Sequence, residues 1–138
     1  MYRPEEDETV PPPTLGSVLL GTADPDRLRD WYAAALAPGE AGGGFTEVTP
    51  TMFAGTFGDT SLLIDGRSDV AGKNPEPGRV VLNFHVDDAR AVAEHLKSLG
   101  VTWLVELEER DGGLVGTLVD PDGNYVQIIE LSEGHGTS

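Results

Sequence analysis

The chain has 138 residues, which suits one domain with a single core of moderate size. It contains no cysteine, which excludes disulfides, thiolate metal sites and cysteine nucleophiles, and this fits a reducing, cytoplasmic setting. Its 24 acidic against 9 basic residues give a formal net charge of −15, a sign that disfavours nucleic acid and anionic membranes and favours solubility or cationic partners.

The N-terminal stretch combines Glu5-Glu6-Asp7-Glu8 with Pro11-Pro12-Pro13, so residues 1–14 are expected to be a disordered acidic tail. It does not have the basic-then-apolar order of a signal peptide. No apolar run in the chain approaches the ~20 residues that cross a bilayer as a helix.

An apolar run from Leu15 to Thr22 then reads as a strand. Asp24-Pro25-Asp26 is a helix start: Asp24 can cap free amides, and Pro25 at the first helical position forfeits no hydrogen bond. Leu28, Trp31, Tyr32, Ala35 and Leu36 fall on one helical face, and Pro38-Gly39 ends it. Beyond Gly42-Gly43-Gly44, three short strands are expected at Phe45–Val48, Met52–Phe57 and Ser61–Ile64, with turns at Thr49-Pro50 and Gly58-Asp59. The triple glycine follows a helix rather than a strand, so it is not a phosphate loop.

The same order returns after a Gly-, Pro- and charge-rich linker, residues 67–78. Val80–Val86 reads as a strand, and Asp87-Asp88 can cap a helix whose stripe is Ala89, Val92, Leu96 and Leu99 and whose end is Gly100. Strands follow at Val101–Leu107, Leu114–Val119 and Tyr125–Leu131, with turns at Asp111-Gly112-Gly113 and Asp120-Pro121-Asp122-Gly123. The two helix-starting aspartates, Asp24 and Asp88, lie 64 residues apart, and the turn glycines Gly58 and Gly123 lie 65 apart. That spacing predicts an α+β fold of two tandem βαβββ modules, residues 15–66 and 79–131, with a flexible tail at 132–138.

The wording of these segments resembles a known family. Leu20-Gly21-Thr22-Ala23-Asp24-Pro25-Asp26-Arg27-Leu28-Arg29-Asp30-Trp31-Tyr32 resembles the first strand and helix of the vicinal-oxygen-chelate superfamily, the glyoxalase, bleomycin-resistance and extradiol-dioxygenase group. Phe84-His85-Val86-Asp87-Asp88 resembles the matching place in the second module. Gly112-Gly113 followed by Asp120-Pro121-Asp122-Gly123-Asn124 and an apolar strand resembles the C-terminal signature. The resemblance implies curved mixed sheets around a cleft, helices outside, and a homodimer. It implies no single activity, because the fold carries isomerases, dioxygenases, epimerases, thiol transferases and drug-binding proteins.

In members with a metal, the resemblance places ligands seven residues before each helix-starting Asp and four after each turn Gly. Here those positions are Ser17, Val81, Leu62 and Gln127. Only Gln127 offers a suitable oxygen, whereas a catalytic metal needs about three protein ligands. No family-type metal and no cofactor are therefore expected.

Strand alternation brings Val81, Asn83 and His85 to one face of their strand and Tyr125 and Gln127 to one face of theirs, and these residues are expected to line the cleft with Ser17 and Leu62. His85 is either a hydrogen-bonding or proton-transferring group or a structural histidine at a strand end. Trp103 either stacks on a planar ligand or packs in the core. Glu106, Glu108 and Glu109 either face the cleft or form a solvated edge. Gly21 would let a ligand or backbone approach closely, and His95 is expected to face solvent. The expected function is metal-independent binding of a small molecule, cationic or aromatic. The alternative is a metal-dependent lyase, isomerase or dioxygenase with an unorthodox set such as His85, Gln127 and Glu106.

Overall fold

The structure, a computed structural model, describes residues 10–37 and 44–132. The expectations for residues 1–9, for Pro38-Gly39, for Gly42-Gly43 and for 133–138 lie outside the described residues. The first module runs β1 (Ser17–Thr22), α1 (Pro25–Leu36), β2 (Phe45–Thr49), β3 (Met52–Phe57), β4 (Thr60–Gly66). The second runs β5 (Leu82–His85), α2 (Ala89–Ser98), β6 (Thr102–Arg110), β7 (Gly113–Val119), β8 (Tyr125–Glu130). Each module forms a four-stranded mixed sheet, in the orders β1-β4-β3-β2 and β5-β8-β7-β6. The expected α+β architecture of two βαβββ modules is the one observed.

The repeat extends to the helix caps. Asp24 Oδ1 accepts from the Arg27 amide and Asp88 Oδ1 accepts from the Ala91 amide, both at 3.1 Å. The capping residues share one backbone conformation, φ −137° and ψ 83° against φ −138° and ψ 87°. Each cap satisfies one of the free amides that begin a helix. The buried face of α1 is Leu28, Tyr32 and Ala35. In α2 it is Ala89, Ala93 and Leu96, whereas Leu99, expected on this stripe, is exposed where the helix ends against the left-handed Gly100.

Each helix packs on one face of its own sheet, and both helices feed a single buried cluster. That cluster joins Leu28, Tyr32, Leu62 and Ile64 to Leu96, Leu118, Val126 and Ile128. Phe57 of β3 meets Phe84 of β5 edge to face, ring centroids 5.0 Å apart. His95 is half-buried rather than fully turned to solvent, and its Nε2 donates to the Ala34 carbonyl at 2.7 Å, which ties α2 to α1. The helix-bearing faces of the two sheets thus turn toward each other, and the opposite, open faces turn outward.

A buried polar joint fixes this arrangement. The Tyr32 hydroxyl on α1 donates to Asp120 Oδ2 in the β7–β8 turn at 2.6 Å. Asp120 Oδ1 accepts from the Asp122 and Asn124 amides at 2.8 and 3.0 Å, and Oδ2 also accepts from Asn124 Nδ2 at 2.9 Å. Arg27 Nη2 donates to Asp122 Oδ1 at 3.1 Å, and the linker amide of Asn74 donates to the Asp122 carbonyl at 2.8 Å. The buried Asp120 carboxylate is tolerable because its lone pairs are filled in this way, whereas Asp122 Oδ2 is buried without a hydrogen-bond partner among the described residues.

Candidate functional site

The registers sort the candidate residues by face, because partners across neighbouring strands share one. In the second sheet Leu82, Val126 and Leu118 are aligned, and all lie toward the helix. Asn83, Gln127 and Thr117 are aligned on the open face, followed by His85, Ile129 and Val115. In the first sheet Val18 pairs with Leu62 toward the core, while Ser17 pairs with Ser61 and Leu19 with Leu63 on the open face.

Leu62 therefore lies on the core side of β4, where it also lines the groove beside β5. It is 4% exposed within the core, and Leu63 takes the position equivalent to Gln127. The cause is the hairpin. The first turn has two residues, Gly58-Asp59, between the paired Phe57 and Thr60. The second closes Asp120 onto Asn124 around three, Pro121-Asp122-Gly123. Counting from the glycine then slips by one residue, which flips the side chain to the other face.

Trp103 also lies away from the open face. It pairs with Leu118 and packs against the core, where a Cβ on Gly116 would sit 2.9 Å from its Cζ3. Two register shifts follow in β6, between Trp103 and Val105 and between Val105 and Glu108. They bring Val105 opposite Thr117 and Glu108 opposite Val115, so these two join the open face. Bulges re-aim side chains in this way. Arg110, two residues on, pairs with Glu108 at 2.9 Å. Glu106 turns to α2, where Lys97 Nζ lies 3.6 Å from its Oε1. Simple alternation predicts neither outcome.

The remaining candidates stand as follows. Asn83 and His85 are exposed on the open face, and Gln127 is half-buried with its Nε2 donating to Thr117 Oγ1 at 3.1 Å. Tyr125 shares the Gln127 face, its ring beside the linker at Gly78. Val81 precedes β5, half-buried. Gly21 is approached by protein rather than left open: a Cβ there would lie 2.6 Å from Cδ of Arg67, whose guanidinium holds Asp69 through two hydrogen bonds of 2.9 and 2.8 Å.

Two larger cavities, and a smaller one of about 290 Å³ bounded by Arg110, Val115, Gln127 and Ile129 on the open face, adjoin the two sheets. One of about 780 Å³ lies at the C-terminal end of β5, bounded by His85, Arg90, Glu109, Ile129 and Ser132. The other, about 630 Å³, is an apolar groove between the β1 and β5 edges, bounded by Leu15, Val18, Phe57, Val80, Leu82 and Phe84. With the register corrected, the positions that hold a metal in the resembled family become Ser17, Leu63, Val81 and Gln127. Two are hydrocarbon and one is a neutral hydroxyl, so this set does not fit such a metal. Among the described residues, no three His, Asp or Glu side chains gather where a metal ion would sit.

Residues 17–129 match the family model of the glyoxalase-like domain. No curated protein matches the sequence at a significant level. Among solved structures, a glyoxalase/bleomycin resistance protein/dioxygenase from Nocardioides has 14% identity and a TM-score of 0.68, over 94% of this chain and 91% of that one. A lactoylglutathione lyase from Agrobacterium tumefaciens has 20% identity and a TM-score of 0.65, over 87% and 95%. TioX from Micromonospora sp. ML1 has 15% identity and a TM-score of 0.66, over 86% and 98%. At these identities the structures speak for the fold alone, and the family model covers most of the chain. The protein belongs to the glyoxalase-like domain family of the vicinal-oxygen-chelate superfamily.

Proposed function

We propose that this protein is a cytoplasmic, homodimeric binder of a small organic molecule, cationic or aromatic, held on the open sheet faces without a family-type metal. One observation carries the reading: the four ligand positions hold Ser17, Leu63, Val81 and Gln127, which suit a mixed apolar and hydrogen-bonding wall rather than a divalent cation. The outward direction of both open faces supports a second copy as the other wall of the cleft. The exposed apolar side chains Leu15, Leu19 and Val80 along the β1 and β5 edges support the same arrangement.

The competing reading, a metal-dependent lyase, isomerase or dioxygenase using His85, Gln127 and Glu106, requires Glu106 on the open face, whereas it reaches toward Lys97. Elemental analysis of protein purified without chelator, followed by a thermal-shift screen of cationic and aromatic metabolites, tests the proposal. The expected result is substoichiometric metal and at least one ligand that raises Tm. One Ni, Zn, Mn or Fe per chain, or a screen with no stabilising compound, overturns it.

A further inference from the structure

The open faces of the two modules differ in chemistry at equivalent places. An offset of 64 residues carries Leu19 onto Asn83 and Leu63 onto Gln127, and each pair sits side by side across parallel strands, Leu19 with Leu63 and Asn83 with Gln127. The fold thus builds one two-residue platform twice. In the first module it is hydrocarbon, and Leu19 is 43% exposed. In the second it is two carboxamides in register on neighbouring parallel strands, whose backbones run about 4.8 Å apart.

The carboxamides have unspent hydrogen-bonding capacity. A primary amide offers two donors and an acceptor oxygen. Among the described residues, Gln127 spends only Nε2, on Thr117, and the Asn83 side chain makes no hydrogen bond to protein. Neither carries a charge, and Ile129 and Val115 continue the floor beside them in apolar form. Two adjacent amides offer donor and acceptor together, which a charged group alone would not use fully and which an amide edge matches atom for atom.

We propose that the ligand is a neutral-edged ring compound whose N–H and C=O (a lactam, imide or carboxamide) dock on Asn83 and Gln127, and whose apolar face lies on the Leu19–Leu63 platform of a second copy. This inference rests on the small-molecule reading above and deepens it. Recognition is one-sided: all directional contacts come from the second module, and the first supplies only contact area. Once ligand and second copy cover these amides, a ligand that lacks the matching groups leaves them unpaired and is strongly disfavoured.

Titration of the full-length, isotope-labelled protein, observed by NMR, tests this with three probes: 2-quinolinone, its N-methyl derivative and naphthalene. The expected result is that 2-quinolinone shifts the side-chain NH2 signals of Asn83 and Gln127 and the methyl signals of Leu19 and Leu63. The N-methyl compound should bind about tenfold more weakly. The double variant N83L/Q127L, which turns the second platform into a copy of the first, should abolish that preference, and N83A and Q127A should each reduce it. Equal binding of naphthalene and 2-quinolinone overturns the amide-edge inference but leaves the small-molecule reading intact. Binding of none of the three overturns it as well, and the metabolite screen then decides the broader reading separately.

Discussion

Tyr32 shows how much a single side chain can conceal in a sequence. Its place on the α1 stripe marks it as core, and it is fully buried. Its hydroxyl partner, Asp120, lies 88 residues away in the other module. No local pattern announces that pair; only the tertiary fold brings a stripe tyrosine over the Asp-Pro-Asp-Gly-Asn turn. Burial first, and then the nearby Asp120 carboxylate, hold the Tyr32 hydroxyl well above the usual tyrosine pKa. The folded state therefore disfavours the phenolate. Its stabilising contribution is complete below the unfolded value near 10 and is lost as pH rises from there toward the folded value. Tyr32→Phe removes both the hydrogen bond and the titration. It is expected to lower stability by about 1–2 kcal/mol near pH 8, with a smaller deficit at pH 10.5, as measured by urea unfolding. A variant as stable as the parent at pH 8 would show that the joint contributes nothing.

At the scale of elements the sequence is largely legible. Periodicity and turn residues locate both helices and all eight strands, with ends that differ by up to three residues, the most at β6, which runs on to Arg110. Asp24 and Asp88 identify the caps that the structure displays. What stays hidden is register: whether a turn contains two residues or three, and where β6 slips against β7. Those are decided by the fit of side chains against the opposite layer, which one strand's residues do not encode. The fit is visible at two glycines. The Phe45 ring of β2 lies on Gly55, where a Cβ would come within 2.7 Å of it, and the Trp103 ring of β6 lies on Gly116 at 2.9 Å. β2 and β6, one edge strand of each sheet, are thus each held by an aromatic ring seated over a glycine of the neighbouring strand. Gly55→Ala and Gly116→Ala should each cost about 1–3 kcal/mol through overpacking. Gly116→Ala alone should also change the tryptophan emission, since only its seat belongs to Trp103. Unchanged Tm and emission in Gly116→Ala would refute this account of β6.

At the scale of the whole molecule, two facts oppose each other. The open faces and the β1 and β5 edges present apolar surface, with Leu15 at 74% and Val80 at 65% exposure, and a second copy would cover it. Each copy also carries a formal charge of −15, so two copies repel at long range. Apolar burial is insensitive to moderate salt in its sign, whereas the repulsion is screened over a Debye length that falls from roughly 30 Å at 0.01 M to about 10 Å at 0.1 M. The dimer proposed here should therefore tighten as salt is added. An interface built on ion pairs would loosen instead. Sedimentation between 0.01 and 0.3 M NaCl is expected to show dimer increasing with salt. Val80→Asp, which puts a charge on the apolar edge, is expected to give monomer throughout with an unchanged far-UV spectrum. A dimer that dissociates on adding salt, or one that survives Val80→Asp, would place the contact elsewhere and leave the open faces without their second wall.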